Sequence, residues 1–231
     1  MHDQEEAVIN IVMLVKDRPR LTLQTLTSLR ENTLGEWSLV LVDDASKPET
    51  RDMCVMFARA EQKRVALLRN ETSSGVTGLV RNLGVYWAEK YFSRGEWLYL
   101  SDNDVFFTDG WDRTLKKASD LAPQFALIGG QNHPYHQACW PIDGIREYQD
   151  LAGTSWLMRW AAWDRYGPLV PAQPGVCQGE DTVFCKAIRL DGYKIGAVWP
   201  EVVYDCGITQ TGGTPSPGAE LKPRHKGVLY V

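Results

Sequence analysis

Runs of apolar residues, each stopped by a short polar cluster, organise this chain. Val8 to Val15 (V-I-N-I-V-M-L-V) is nearly continuous apolar, β-branched sequence, which predicts a strand buried on both faces. Lys16-Asp17-Arg18-Pro19 stops it, and Pro19 suits the first turn of a helix. Arg20 to Arg30 then carries Leu23, Leu26 and Leu29 at helical spacing. Trp37 to Val42 reads as a second strand, halted at Asp43-Asp44-Ala45-Ser46. Pro48 opens a helix through about Ala60, and Val65 to Leu68 is a third strand. This β-α-β-α-β order with short connections predicts a parallel sheet with helices on its faces.

After Gly75-Val76-Thr77-Gly78, the periodic positions Leu79, Leu83, Tyr86 and Trp87 predict a helix from Leu79 to Phe92. Trp97 to Asp104 (W-L-Y-L-S-D-N-D) is an apolar run ending in two carboxylates around one amide. Alternation along an extended chain would face Asp102 and Asp104 the same way. Carboxylates so placed repel, by roughly 3 kcal/mol at about 5 Å, unless a cation sits between them. Mg²⁺ and Mn²⁺ suit such oxygens and also bind phosphate. The same residues also suit a plain strand-to-loop turn, because Asp and Asn hydrogen-bond their own backbone. A calcium loop is excluded by Phe106 and Phe107, which stand where an oxygen ligand and a Gly are needed.

Further on, Trp111 to Leu121 reads as a helix and Phe125 to Gly129 as a strand. His133 to Asp143 has no clean period, so His133 and His136 fall in a loop rather than on one helix face. Thr154 to Arg159 is strand-like, and Trp160 to Tyr166 is a short helix ended by Gly167-Pro168. Pro171 to Gly179 is loop. Glu180 and Asp181 open a helix from Thr182 to Leu190, where acidic residues favour the dipole and could also present a general base. Lys194 to Trp199 is the last strand. From Gly207 the chain is Gly/Thr/Pro-rich and ends in the basic cluster Lys222-Pro223-Arg224-His225-Lys226, which reads as a tail or lid.

Composition narrows the classes. At 231 residues the chain can bury a sizeable core. Its apolar fraction of 44% and charged fraction of 23% are those of a soluble globular protein. A net charge of −4 argues against broad nucleic-acid binding. The five cysteines (54, 139, 177, 185 and 206) include no C-x-x-C pair, which points to a reducing compartment and a cytoplasmic location. The N-terminus M-H-D-Q-E-E lacks the basic start of a signal, and no apolar run approaches about 18 residues. Neither G-x-x-x-x-G-K-[ST] nor G-x-G-x-x-G occurs. Ligands of parallel sheets bind outside the strands' carboxyl ends, and Lys16-Asp17-Arg18, Asp43-Asp44 and Asp102-Asp104 all sit at such ends.

Taken in order, these motifs resemble family-2 glycosyltransferases of the GT-A fold, over about Val8 to Asp205. The motifs are a first strand ending in a polar turn with Arg18, V-D-D-A-S (42–46), G-x-x-R-N-x-G (78–84), S-D-N-D (101–104), L-M-R (157–159) and G-E-D-T-V-F (179–184). The resemblance implies an α/β fold whose mostly parallel central sheet is flanked by helices, with a Rossmann-like N-terminal half. It implies one domain over 1–206, with a donor half at about 8–110 and an acceptor half at about 111–206, followed by the tail 207–231. Asp43 or Asp44 would hold the nucleotide base or ribose, beside Val15, Lys16 and Arg18. Arg81 would lie near the uracil or diphosphate, and Asp102, Asn103 and Asp104 would hold the donor. Asp102 and Asp104 would bind Mn²⁺ or Mg²⁺, with Asp205 or His225 as a third ligand where many relatives carry a His. Asp181 would take the proton from the acceptor hydroxyl in a single inverting displacement, with Glu180 orienting the acceptor. The donor would be a UDP-sugar.

The acceptor stays open among a saccharide, a protein and hydroxymethylated cytosine in DNA, the last being the substrate of some compact viral GT-A enzymes. Trp140, Trp156, Trp160 and Trp163 either offer a stacking face to a sugar or extruded base, or belong to the core. Two rivals share part of the pattern. A haloacid-dehalogenase phosphatase also ends a strand in D-x-D-x-[TV], which D-N-D-V (102–105) fits, its first Asp a nucleophile. The other is a degenerate transferase that only binds a sugar nucleotide or a partner, against which the intact acidic pair and Glu180-Asp181 argue.

Overall fold

The computed structural model describes residues 8–131, 144–170 and 179–206. Strands β1 (Ile9–Val15), β2 (Trp37–Asp44), β3 (Val65–Asn70) and β4 (Trp97–Asp102) run parallel in the order β3-β2-β1-β4. Every residue of β1, β2 and β4 is buried, as their unbroken apolar runs require. Beyond β4 the same sheet continues through β8 (Ser155–Arg159), β6 (Phe125–Gly129), β9 (Lys194–Val198) and β7 (Ile145–Tyr148). Here β8 is antiparallel to β4 and β6, β9 is parallel to β6, and β7 closes the edge antiparallel to β9. The short strands β5 (Val105–Phe107) and β10 (Val203–Asp205) form a separate antiparallel ribbon.

Alternation along β1 builds two cores. Ile9, Ile11, Met13 and Val15 pack with α1 (Pro19–Asn32), α2 (Pro48–Ala60) and α4 (Trp111–Leu121), through Leu26, Leu29, Phe57 and Trp111. Val12 and Leu14 face the other side, toward α3 (Thr77–Tyr91), α5 (Trp160–Tyr166) and α6 (Glu180–Leu190), through Val80, Val85, Trp160 and Phe184. Cys54, Cys185 and Cys206 are free thiols, with burial pushing Cys54 and Cys185 up to about 12. No described helix is long and apolar enough to cross a membrane.

The structure corrects the expected face of α3. Leu79, Leu83 and Tyr86 are exposed, at 55%, 37% and 52%, while Trp87 is half-buried against the core. The buried face is Gly78, Val80, Arg81, Gly84, Val85 and Ala88. Gly84 decides this: a Cβ there would stand 2.3 Å from Val12 Cγ1 and 2.8 Å from Val42 Cγ2. The helix lies so close to β1 and β2 that only hydrogen fits. In α1, Leu23 is likewise exposed, and Leu21 joins Leu26 and Leu29 in the core. Sequence patterning did not predict β5, β7 or β10, whose few residues are too short for a period.

Gly84→Ala is expected to destabilise the fold by about 1–3 kcal/mol despite the helix propensity it gains, because Val12 and Val42 cannot retreat from a filled core. Urea unfolding measures this, and an unchanged midpoint would contradict the close approach.

Candidate active site

The site is built where β1, β2 and β4 end. At the end of β1 the chain takes left-handed conformations at consecutive non-glycine residues, Asp17 (φ 52) and Arg18 (φ 60). Side chains from other strand ends hold this turn. Asn103 donates to the Asp17 carbonyl at 3.0 Å and to Thr22 Oγ1 at 2.7 Å. The Asp17 amide donates to Ser46 Oγ at 2.8 Å, and Asp17 Oδ1 accepts the Lys47 amide at 2.7 Å. At the end of β2, Ala45 is also left-handed (φ 56), and Lys16 Nζ donates to the carbonyls of Asp44 (2.6 Å) and Ala45 (3.0 Å). Strained residues from neighbouring strands therefore share one small region, as they do at many functional sites.

The paired aspartates of β2 differ. Asp43 is fully buried, with Oδ1 accepting the Ser46 amide (2.8 Å) and Oδ2 accepting from Arg69 (3.0 Å). It anchors the turn and does not reach the cavity. Asp44 faces the cavity and accepts from Asn70 (2.7 Å), Ser73 Oγ (2.5 Å) and the Ser74 amide (3.0 Å). Burial raises its pKa, but these hydrogen bonds and Lys16 outweigh that and hold it below the usual carboxylate value.

A cavity of about 370 Å³ opens between these ends. Leu14, Lys16, Asp17 and Arg18 line it from the end of β1, and Asp44 from β2. Ser73, Gly75 and Val76 line it from the segment before α3, Thr77 and Val80 from its first turn, and Asp102 and Asn103 from the end of β4 and the turn after it. The amide end of α3 thus opens onto the cavity, where the helix dipole favours an anion. Sequence reasoning had not given Ser73 or Thr77 a role, though Gly75 (φ 64) in the S-S-G run marks the turn that presents them.

An acidic group lies alongside. Asp102 is buried and paired to Arg81 at 2.7 Å, and Arg81 also faces Glu180 at 3.8 Å. Asp104 is buried and ion-paired to Arg18. The extended geometry does not persist: the chain turns at Asn103-Asp104, so the carboxylates flanking Asn103 take separate arginines. They still feel each other. Burial, then Asp102, then Asp205 push Asp104 up to about 8 against the pull of Arg18. Asp205 comes near because β10 pairs with β5, setting it opposite Val105, while the Cys206 amide donates to the Asp104 carbonyl at 2.9 Å.

A family-wide sequence comparison decides the lineage: the profile described as Glycosyl transferase family 2 matches residues 10–142, more than half of the chain. The chain belongs to glycosyl transferase family 2. Solved structures agree at the level of fold. GalNAc-T7, crystallised with UDP, GalNAc and Mn²⁺, is 15% identical with a TM-score of 0.64, covering 85% of this chain and 43% of that one. TarS from S. aureus is 15% identical with a TM-score of 0.62, over 85% and 36% of the respective chains. A TarS 1–349 structure with UDP is 19% identical with a TM-score of 0.58, over 85% and 59%. The family-2 chain therefore spans less than two thirds of each of these proteins. No curated protein matches it by sequence. The architecture is GT-A, and the phosphatase alternative gives way to it.

Several expected site residues of this family-2 chain stand elsewhere. Val15 points its side chain into the core, and Leu14 lines the cavity instead, because alternation puts neighbours on opposite faces. Asp43 and Arg81 are absent from the cavity wall. Glu180 is buried and faces Arg81 at 3.8 Å. Asp181 is half-buried in the first turn of α6, and its Oδ1 accepts the Thr182 amide at 2.8 Å. Trp156 is fully buried and stacked on Phe184, centroids 5.4 Å apart, so it is core and not a sugar platform. Trp160 is core as well. Trp140, His133, His136 and His225 lie outside the described residues.

Ala45→Gly is expected to stabilise the protein by about 0.5–1 kcal/mol, since relief of the left-handed Cβ penalty exceeds the glycine's extra unfolded entropy. Thermal unfolding tests it, and a lower midpoint would mean that the turn is not strained.

Proposed function

We propose that this chain transfers one sugar from a nucleotide-diphosphate sugar, of the UDP type, to an acceptor hydroxyl with inversion. The carrying observation is the cavity at the strand ends, which joins a hydrogen-bonding carboxylate, Asp44, to a cationic and amide-lined end formed by Lys16, Arg18 and the start of α3. Asp44 suits the hydroxyls or amide of a nucleoside. Lys16, Arg18 and the α3 amides suit a diphosphate, and they stabilise it most as it leaves with full charge. Two of the structural neighbours were solved with UDP, which supports the same reading.

The carboxylates suit a hard divalent cation by chemistry. Burial, Asp102 and Asp205 raise the electrostatic cost of ionising Asp104, which an added cation would lower. Among the described residues no cluster of three or more His, Cys, Asp or Glu is preformed to hold one, so diphosphate oxygens and water would complete the shell. Mn²⁺ or Mg²⁺ held by Asp102 and Asp104, with Asp205 nearby, would supply charge neutralisation of the leaving diphosphate. Asp181 is the base, at the start of α6, and receives the acceptor proton as the hydroxyl attacks the anomeric carbon. No enzyme nucleophile is needed.

UDP release from a panel of UDP-sugars, with saccharide, protein and hydroxymethylated-DNA acceptors, tests the assignment; no release from any donor overturns it. Asp104→Asn is expected to abolish Mn²⁺-dependent UDP binding and turnover while the fold remains, and full activity in that variant refutes its role. Asp181→Asn should keep UDP affinity and lower kcat by roughly 10²–10⁴-fold. Normal transfer would remove it as the base.

A further inference from the structure

Trp199 is exposed at 47%, the only exposed tryptophan among the described residues, and it directly follows β9. The sheet register fixes its place. Leu100 of β4 pairs with Trp156 of β8, Trp156 with Gly129 of β6, and Gly129 with Ala197 of β9, so Leu100 and Ala197 share one row. β9 runs in the direction of β4, because β8 reverses it and β6 restores it. Asp102 and Trp199 each lie two residues beyond that row, at the same edge of the sheet, three strand spacings or about 14 Å apart. Leu100 and Ala197 also face the same core, on the side of the sheet that carries α3 and α6. The segment after Trp199 returns to the acidic group. The Val202 and Val203 amides donate to the Gly130 carbonyl, Asp205 stands opposite Val105, and the Cys206 amide donates to the Asp104 carbonyl. The indole is held in place. The Trp199 amide donates to the Gly144 carbonyl at 2.7 Å, and the Arg146 guanidinium lies 3.4 Å from the ring centroid. Arg146 pairs with Ala197 across β7 and β9, so it reaches Trp199 as a diagonal neighbour on the same face. Charges beside the ring are balanced: Lys194 pairs with Glu147 at 2.7 Å, and Arg146 and Glu201 both lie near Tyr148.

We propose that Trp199, oriented by Arg146, is the stacking platform for the acceptor, and that the acceptor is a neutral oligosaccharide. The inference rests on the glycosyl-transfer reading and deepens it by choosing among the acceptors. Scattered exposed hydrophobic residues are ordinary on a protein surface. Trp199 differs from them in being locked by a stacked guanidinium, level with Asp102 on the edge where the donor cavity opens. A pyranose carries an apolar C–H face beside its hydroxyls, which suits the ring face that Arg146 leaves uncovered. A single pyranose is too short to span the distance from Trp199 to the end of β4, so the acceptor has several rings. A DNA acceptor would need surplus positive charge for its phosphates, which the balanced pairs around Trp199 do not supply. Stacking at a ring remote from the reacting hydroxyl is equally strong before and during transfer. Its loss therefore raises the acceptor KM and leaves kcat and UDP binding alone.

The test uses the full chain and its Trp199→Ala and Trp199→Phe variants, with tetrasaccharides of glucose, galactose, mannose and N-acetylglucosamine as acceptors. UDP release in Mn²⁺ gives the acceptor KM and kcat, calorimetry gives UDP affinity, and thermal melting reports the fold. For the saccharide that the parent accepts, Trp199→Ala is expected to raise KM roughly tenfold, and Trp199→Phe to bring it back within about threefold. In both variants kcat and UDP affinity stay within about twofold of the parent. Should Trp199→Ala fail to fold, Trp199→Leu replaces it, with the same loss expected because no ring remains to stack. An acceptor KM unchanged in Trp199→Ala overturns the platform. A drop of about tenfold in UDP affinity or kcat with KM intact places Trp199 in the donor or chemical machinery and overturns it too. A parent that releases UDP with protein or hydroxymethylated-DNA acceptors but with none of these saccharides overturns the acceptor class while glycosyl transfer stands. A parent that releases UDP from no donor ends the transferase reading itself, and the platform with it.

Discussion

The site depends on giving partners to carboxylates at the ends of strands that are otherwise sealed from water. Burying an unpaired carboxylate is prohibitive, so each one here is given a specific partner. Asp43 takes Arg69 and a backbone amide, Asp44 takes neutral donors from the segment after β3, Asp102 takes Arg81, and Asp104 takes Arg18. These choices are not equivalent. Around Asp44 the hydrogen bonds prevail over burial and leave an ionised acceptor facing the cavity. Around Asp104 burial and neighbouring negative charge prevail over one arginine. Positive charge brought beside Asp104 would offset that balance.

That arrangement also explains the strained turns. Loops that present charge to a shared cavity must reverse within a residue or two of the strand's end. Asp17, Arg18 and Ala45 take conformations that glycine would take more easily. Asn103 and Ser46 hold them there by hydrogen bonds between strand ends. The turn that carries Arg18 is thus fixed by the residue between Asp102 and Asp104. Moving β4 relative to β1 would loosen the cationic side and the acidic side of the site together.

Most of the sheet could be read from the chain because β1, β2 and β4 are buried on both faces and leave unbroken apolar runs. The polar clusters that stop them were legible for the same reason, since a single buried polar residue such as Asn10 needs its own hydrogen-bond partners, while a run of them marks the strand's exit from the core. What the pattern could not supply was direction. Asp43 and Asp44 are identical in sequence terms, and only the pleat sends one to Arg69 and the other to the cavity. Trp156 has the composition of a sugar platform but stands on a central strand beside β4 and β6. The ribbon of β5 and β10, which brings Asp205 to Asp104, is too short to announce itself and pairs residues far apart in the chain.

The helix α3 shows why such a misreading can be physically informative. Its sequence offers an apolar stripe at Leu79, Leu83 and Tyr86 that would ordinarily face the sheet. The stripe is exposed, and the face with a buried arginine and glycines is turned inward. Each residue advances about 100° around a helix, so rotating α3 to bury Leu79 and Leu83 would swing Arg81 and Gly84 off the sheet together. Asp102 would then be left without its cation, at a cost of about 3–5 kcal/mol for breaking a buried pair. Burying those exposed side chains would recover about 1.5–3 kcal/mol apiece at full burial, and less here because each is already partly covered. On those figures the buried pair and the apolar burial given up nearly offset each other. The fit of Gly84 against Val12 and Val42 breaks the balance, because any other inward residue would hold the helix too far out for Arg81 to reach Asp102. The orientation of α3 is therefore fixed by a missing methyl group and a buried charge, and the exposed stripe follows from both.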